Sequence, residues 1–301
     1  MIFSKDRRPS KIISLVDNNY DLNKYGISYW WLQEDSAVDS LISKINSYYD
    51  IGYRRFFLYF PTGNAPINSG TNSSSIWNPM EEWKKEDLKT TFKEFWKEKA
   101  LLECSLGIMC GADIPNDYDL STAELGLVTE IRDQGIFQNR KYHKPNINNV
   151  QDLIYIRDNF KEWINIGLKE IVFIDSSIGN SYSNILDINN IFGLRKIKVH
   201  ANPFLIQESF YTDDNRSSLL PFVGFYKDYI SIKEENKSVF SEKMNENSEI
   251  SIIIESDDNL SKQQIFDLNN KNISIWTFDT DSYDSIIEDL ITYKYSKNKI
   301  L

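Results

Sequence analysis

A short apolar run, a turn, an amphipathic helix and then another apolar run recur along most of this 301-residue chain. The runs RFFLYF at residues 55–60 and EIVFID at residues 170–175 are rich in β-branched and aromatic residues. Strands that are apolar on both faces are typical of parallel sheets covered by helices, because a strand with one solvated face alternates apolar and polar residues. The pattern therefore predicts an α/β protein with a parallel sheet.

Eight such runs alternate with helical patterns. The predicted strands span residues 27–32, 55–60, 105–110, 170–175, 196–200, 229–233, 250–255 and 273–278. Helices are predicted at residues 37–50, 81–99, 150–166, 184–192, 219–226, 262–269 and 282–293, with a charged helix after the sixth strand.

Eight strand–helix units predict a (β/α)8 barrel. An open doubly wound sheet is the alternative, but it usually has fewer strands and often a glycine-rich phosphate turn, and the chain has neither GxGxxG nor GxxxxGK[ST]. We expect one barrel domain over residues 1–301, with residues 1–24 as an extension packed on or near it. Long loops are expected after strands two and three.

The charge balance argues against several classes of partner. Asp and Glu number 44 against 34 Lys and Arg, for a net charge of -10, so the chain lacks the basic surface that a duplex nucleic-acid binder needs. No run of about 18 apolar residues is present to cross a membrane, and the N-terminus MIFSKDRRPSK has no signal-peptide core. From these two features we expect a cytoplasmic or virion protein. The virion option is suggested by the abundant Asn, Ile and Lys, which are typical of AT-rich genomes, including those of many phages.

Candidate site residues follow from one rule, which is that barrel active sites form at the C-terminal ends of the strands. Carboxylates follow four predicted strands, and polar or aromatic side chains that would bind a sugar lie at other strand ends and loops. The residues are Asp113, Asp175, Glu255 and Asp279, with His200, Asn202, Trp77, Tyr211 and Trp276. The acidic loops ESDDN and DTDSYD after strands seven and eight would repel phosphate. The two histidines lack paired ligand spacing, so we predict neither a metal nor a cofactor.

Carboxylates after strands four and seven resemble the arrangement in retaining glycoside hydrolases with (β/α)8 barrels. This resemblance, which is one of architecture, implies Asp175 as acid/base and Glu255 as nucleophile. The resemblance covers these two positions only. Substrate contacts are predicted, from their places at strand ends and in loops, for Asp113, His200, Asn202, Trp77, Tyr211, Trp276 and Asp279. One difference is that the family has Asn-Glu after strand four, where this chain has Ile174-Asp175.

Two other functions stay open at this point. One is a non-catalytic structural or glycan-binding component of a larger assembly, such as a phage virion or fibre, with glycans or other protein subunits as partners. The other is a phosphodiesterase-type barrel, because IWTFD at residues 275–279 resembles a late strand of glycerophosphodiester phosphodiesterases. The early His-Arg pair of those enzymes is missing, which favours the glycan-directed interpretation.

Overall fold

The computed structural model describes residues 7–14, 35–61, 86–111, 161–173, 197–201, 222–235, 249–279 and 281–295, with residues 154, 157 and 191 singly. Eight parallel strands form a closed barrel in chain order. They are β1 (Ser10–Ser14), β2 (Arg55–Pro61), β3 (Ser105–Gly111), β4 (Leu168–Phe173), β5 (Lys198–Ala201), β6 (Phe222–Phe225), β7 (Ile250–Ile254) and β8 (Ile273–Phe278). Since β1 pairs with both β2 and β8, the predicted (β/α)8 barrel is confirmed.

Helices cover the outside of this barrel. In the described ranges they are α1 (Asp35–Ile51), α2 (Glu86–Leu101), α3 (Lys161–Asn165), α4 (Tyr226–Glu235), α5 (Lys262–Asn270) and α6 (Asp284–Lys294). Gly167 ends the segment after α3 at φ +111°, a left-handed conformation that glycine adopts without strain. None of the helices in the described ranges combines the length and the apolar character that crossing a bilayer requires. The long loops predicted after strands two and three fall outside the described residues.

The first strand differs from the prediction. Residues 27–32 were expected to form it, but β1 at Ser10–Ser14 fills the place between β8 and β2, so that prediction is wrong. Residues 27–32 themselves lie outside the described part. The SKIIS segment reads as too polar for a wall strand, yet Lys11 is fully buried because its Nζ donates to Asp284 Oδ1 at 2.6 Å. Residues 10–14 therefore belong to the barrel wall.

The sixth strand also differs. It was predicted at residues 229–233, which instead lie in α4, and the helix predicted at residues 219–226 overlaps β6. The FVGF segment is short and contains a glycine, and a single register pair, Ala201 with Phe222, joins it to β5. Its neighbour β7 supplies the remaining pairing, which spans four residue pairs. Tertiary pairing thus decides an element whose local signal is weak.

Alternation along the strands separates two apolar cores. The interior of the barrel is filled by Ile12, Phe57, Met109, Val172, Val223, Ile253 and Trp276. The opposite faces pack against the helices through residues such as Ile13, Phe56, Ile108, Ile171, Ile252 and Ile275. Next to this interior set, near the C-terminal ends of the strands, Tyr59, Phe225 and Phe278 are half-buried. The described part of the barrel interior is therefore a packed core, and its partly exposed side chains lie at the C-terminal ends of the strands.

Candidate functional site

The C-terminal ends of β6, β7 and β8 bring five charged side chains together. We call them the mouth cluster: Lys227, Glu255, Asp257, Asp258 and Asp281. Lys227 lies in the first turn of α4, directly after β6. Residues 256–258 form a short 3-10 helix after β7, and Asp281 follows β8.

Glu255 continues the inward-facing row of β7. Ile253 belongs to the barrel interior, whereas Ile252 and Ile254 belong to the outer core. Glu255 keeps an extended backbone (φ -102°, ψ 154°), so alternation places it on the same side as Ile253. Its side chain is 41% exposed. The predicted residue after strand seven therefore presents a carboxylate towards the barrel axis at the mouth.

Lys227 bridges this carboxylate and two aspartates. Its Nζ lies 2.6 Å from Asp257 Oδ2, 3.8 Å from Asp258 Oδ1 and 3.9 Å from Glu255 Oε2. Partial burial raises the pKa of Glu255, the Lys227 ammonium opposes this, and the neighbouring aspartates raise the pKa further. Glu255 thus has features of a reactive carboxyl group: access to solvent, inward orientation and a perturbed pKa.

Two aspartates of the mouth cluster hold the loops in place. Asp258 Oδ2 accepts a hydrogen bond from the Glu255 backbone N–H at 2.8 Å. Asp281 Oδ1 accepts from the N–H and the hydroxyl of Ser256, at 3.1 and 2.8 Å, and its Oδ2 accepts from the Phe278 N–H at 2.8 Å. These bonds tie the loop after β7 to the loop after β8. They fix the backbone that carries Glu255.

A second group of charges lies inside the barrel near the N-terminal ends of the strands. We call it the interior network: Arg55, Glu170, Lys198, His200 and Glu249, all buried. Arg55 donates from Nη2 and Nε to the two Glu170 oxygens, at 2.7 and 3.2 Å, and from Nη2 to Glu249 Oε1 at 3.3 Å. Lys198 donates to Glu249 Oε2. His200 Nε2 lies 3.0 Å from Glu170 Oε1.

Three members of the interior network have the chemistry of metal ligands, since one atom from each of Glu170, His200 and Glu249 lies within 4.8 Å of the others. The charges around them argue for a different role. Arg55 and Lys198 already balance the two carboxylates, and a divalent cation would add two positive charges beside them. The arrangement is that of a compensated ion-pair network.

The pKa values in the interior network agree with that assignment. Burial raises the pKa of Glu170, but Arg55 and the His200 hydrogen bond outweigh it and hold this pKa well below its usual range. Burial lowers the pKa of His200, against the opposing effect of Glu170. Glu170 is therefore ionised and His200 is neutral near pH 7.

The structure places three predicted substrate-binding residues away from the mouth cluster. Trp276 and His200 have no exposed surface, and Trp276 stacks on Phe57 with ring centroids 4.0 Å apart. Asp279 follows the outward row of β8, and its side chain is 4% exposed and paired with Lys44 of α1 at 2.9 Å. Location favours packing or structural roles for these three over contact with a substrate.

The remaining predicted residues are not covered. Asp175, the expected acid/base, and Asp113, Asn202, Trp77 and Tyr211 lie outside the described residues. Sequence reasoning also missed Lys227 and, apart from His200, the members of the interior network. Lys227 had no signal of its own, because strand six was misplaced. Arg55, Lys198 and Glu249 stand at or just before the first residues of strands, so a search for charges at strand starts would have found them.

Comparisons with known proteins extend the fold assignment. No protein-family model and no curated protein sequence matches this chain. Among solved structures, a maltogenic α-amylase from Thermotoga neapolitana is similar with a TM-score of 0.53 at 13% identity, covering 96% of this chain and 77% of that one. An isomaltulose synthase from a Klebsiella species is similar with a TM-score of 0.52 at 10% identity, covering 98% and 71%. At this identity the likeness concerns the fold, a barrel like those of glycoside hydrolases.

Proposed function

We propose that this protein is a glycan-directed barrel of the glycoside-hydrolase type, with its site at the C-terminal mouth and Glu255 as the nucleophile. The observation that supports this most is the position of Glu255. It is an inward-facing, partly exposed carboxylate directly after β7, where the resemblance to retaining glycoside hydrolases puts the nucleophile. Barrel active sites form at this face.

The proposed reaction is a double displacement. The Glu255 carboxylate attacks the anomeric carbon, the bond from that carbon to the leaving oxygen breaks, and the leaving oxygen takes the proton of the acid/base, for which Asp175 is proposed. Water, deprotonated by the same residue, then attacks the anomeric carbon and releases Glu255. The nucleophile must be ionised, and Lys227 near Glu255 favours that state.

The surroundings of Glu255 favour a sugar over a phosphate ester. The mouth cluster has four carboxylates and one lysine, and so repels an anionic ligand. Below it, Tyr59 and Phe278 pack edge to face with ring centroids 5.9 Å apart, and both are half-buried. Apolar ring faces of this kind suit the C–H side of a sugar. Glycans, with other protein subunits as the alternative, are the proposed partners.

The test is a panel of nitrophenyl glycosides and oligosaccharides, assayed with wild type and Glu255→Gln. This substitution keeps the size and removes the charge, and should lower kcat by several orders of magnitude without unfolding the barrel. Asp289→Asn is the matched control, because Asp289 is an exposed carboxylate paired with Lys262 on the outer helices. It should keep full activity.

Each outcome has a defined meaning. Equal turnover by wild type and Glu255→Gln would overturn the assignment of the nucleophile. No turnover by either, together with saturable glycan binding in calorimetry, would instead support a non-catalytic glycan-binding component, such as a virion or fibre subunit. Neither turnover nor binding across the panel would overturn the glycan-directed function.

A further inference from the structure

Lys227 is the cation of the mouth cluster, and it comes from a different strand–helix unit than the carboxylates around it. It lies in α4 after β6, whereas Glu255, Asp257 and Asp258 follow β7. Its Nζ lies within 4 Å of an oxygen of each of these three residues, and the separation from Asp257 is 2.6 Å. The Lys227 ammonium group therefore links the β6–α4 unit to the loop after β7.

We propose that Lys227 is a positioning residue for Glu255, which fixes the loop after β7 against α4 and supplies the counter-charge that keeps the carboxylate reactive. This inference rests on the proposed function of Glu255. The charged groups that face Glu255 in the described part of the chain are Lys227, Asp257, Asp258 and Asp281. Without Lys227, the carboxylate would face three aspartates and, among the described residues, no cation.

The consequence for Glu255 has a definite direction. Burial and the aspartates raise its pKa, and Lys227 is the group that opposes them. Removal of the Lys227 charge should therefore raise the pKa of Glu255 further, and an enzyme that needs ionised Glu255 should lose activity on the acid side of its pH profile. At higher pH the carboxylate ionises again, and the rate should return to the wild-type plateau.

The variants to compare are Lys227→Met, Lys227→Gln and Lys227→Arg. The matched control is Lys262→Met. Lys262 and Asp289 form another exposed pair at 2.6 Å, and both lysines are about equally accessible, at 57% for Lys262 and 55% for Lys227. General loss of a surface charge is therefore the same in both cases, and only the proximity to Glu255 differs.

Two readouts are measured on the full chain. The first is kcat/KM against pH for the glycoside that the panel identifies, whose acid limb should move to higher pH in Lys227→Met and Lys227→Gln. It should stay in place in Lys227→Arg and in Lys262→Met. The second is a carbon NMR titration of the glutamate carboxyl groups without ligand, with Glu255 assigned from the resonance that Glu255→Gln removes. The Glu255 midpoint should rise in the same two variants.

The outcomes separate this inference from the proposed function. If no glycoside is cleaved, the proposed hydrolysis by Glu255 fails, and the NMR titration still tests the coupling of Lys227 to Glu255. An unchanged Glu255 midpoint in Lys227→Met and Lys227→Gln would overturn the inference. So would a rate that falls equally at every pH, because that is the behaviour of a residue needed only for folding. Failure of one neutral variant to fold leaves the other to decide.

Discussion

Replacing Glu170 by Gln should destabilise the barrel more than any surface change, because Glu170 anchors the interior network. Its two oxygens accept from Arg55 at 2.7 and 3.2 Å, from the Ser105 hydroxyl at 3.1 Å and from His200 at 3.0 Å. A glutamine offers one oxygen and an NH2 group, so some of these donors would face another donor. Arg55 would also share Glu249, its other carboxylate partner in the described part of the chain, with Lys198.

The expected loss of stability follows from the number of buried positive and negative charges in the interior network. In the native interior, Arg55 and Lys198 balance Glu170 and Glu249. Among the described residues, Glu170→Gln leaves two buried cations facing one carboxylate, and breaking a buried ion pair in this way costs about 3–5 kcal/mol. Since whole domains are stable by about 5–15 kcal/mol, this single change should remove a large share of the stability.

The assay is equilibrium urea unfolding of the full chain, followed by tryptophan fluorescence and far-UV circular dichroism. Trp276 is a local probe, because the Arg55 guanidinium carbon lies 5.3 Å from its ring centre. The informative companion is the double variant Arg55→Met with Glu170→Met. It keeps the interior neutral through Lys198 and Glu249, and should be less destabilised than the sum of the two single variants.

Two results would refute this reasoning. One is a cost of Glu170→Gln below about 1 kcal/mol, which is the range of a solvent-exposed ion pair. The other is simple additivity of the Arg55 and Glu170 substitutions, which would show that the two charges do not compensate each other. Loss of the hydrogen bond from His200 costs about 1–3 kcal/mol. Glu170→Met and the double variant both lose this bond, so it cannot produce a departure from additivity.

Two further predictions concern the same interior. Gly107→Ala would place its Cβ 2.4 Å from two ring carbons of Phe57, which is stacked on Trp276. The free energy of unfolding in urea should fall by about 1–3 kcal/mol, and Phe57→Leu in the same chain should restore part of the loss. Unchanged stability would contradict the tight packing. The free energy of unfolding should also decrease as the pH is lowered. The pKa of native His200 is lowered from 6.5, so the unfolded chain takes up a proton that the native protein does not. Below pH 4.5, Glu170 adds a loss of the same sign, since its native pKa lies well below that value. The wild-type urea midpoint should drop between about pH 7.5 and about pH 5.5, and His200→Gln should reduce the drop; a midpoint that rises would contradict the assignment of a neutral native His200.

The sequence predicts most of the barrel wall because a strand that is buried on both faces appears in the sequence as a continuous apolar run. Phe57, Ile108, Val199 and Ile252 all lie in the strands where they were expected, and β8 has the predicted bounds. Ile174, which was also expected in strand four, lies outside the described residues. The SKIIS and FVGF segments lack such a run, since β1 buries a lysine through a partner 273 positions away and β6 is only four residues long. Their strands depend on contacts that no local pattern contains.

The candidate site is predictable in part for a related reason. The rule that barrels react at strand C-termini identifies Glu255, and alternation from Ile253 gives its direction. The same alternation shows why Asp279 differs: it continues the outward row that contains Thr277, and it meets Lys44 instead of the barrel axis. A carboxylate after a strand is therefore a site candidate only when its position in the row points inward.

The interior network and the mouth cluster both contain carboxylates, and they differ most in how far those carboxylates are paired with cations. In the interior network, two cations are matched to two carboxylates among the described residues. Both oxygens of Glu170 accept hydrogen bonds, and the residue is buried, so it cannot reach a substrate or exchange a proton with one. At the mouth, four carboxylates share one lysine, and the pKa values of Glu255 and Asp258 are raised by burial. Asp258 is committed to the Glu255 backbone, and its side chain is only 2% exposed. Glu255 is 41% exposed and continues the inward row of β7, so within the described part of the mouth it is a carboxylate that a ligand on the barrel axis can reach. Any ligand chemistry of the described mouth should therefore depend first on Glu255, and through it on Lys227.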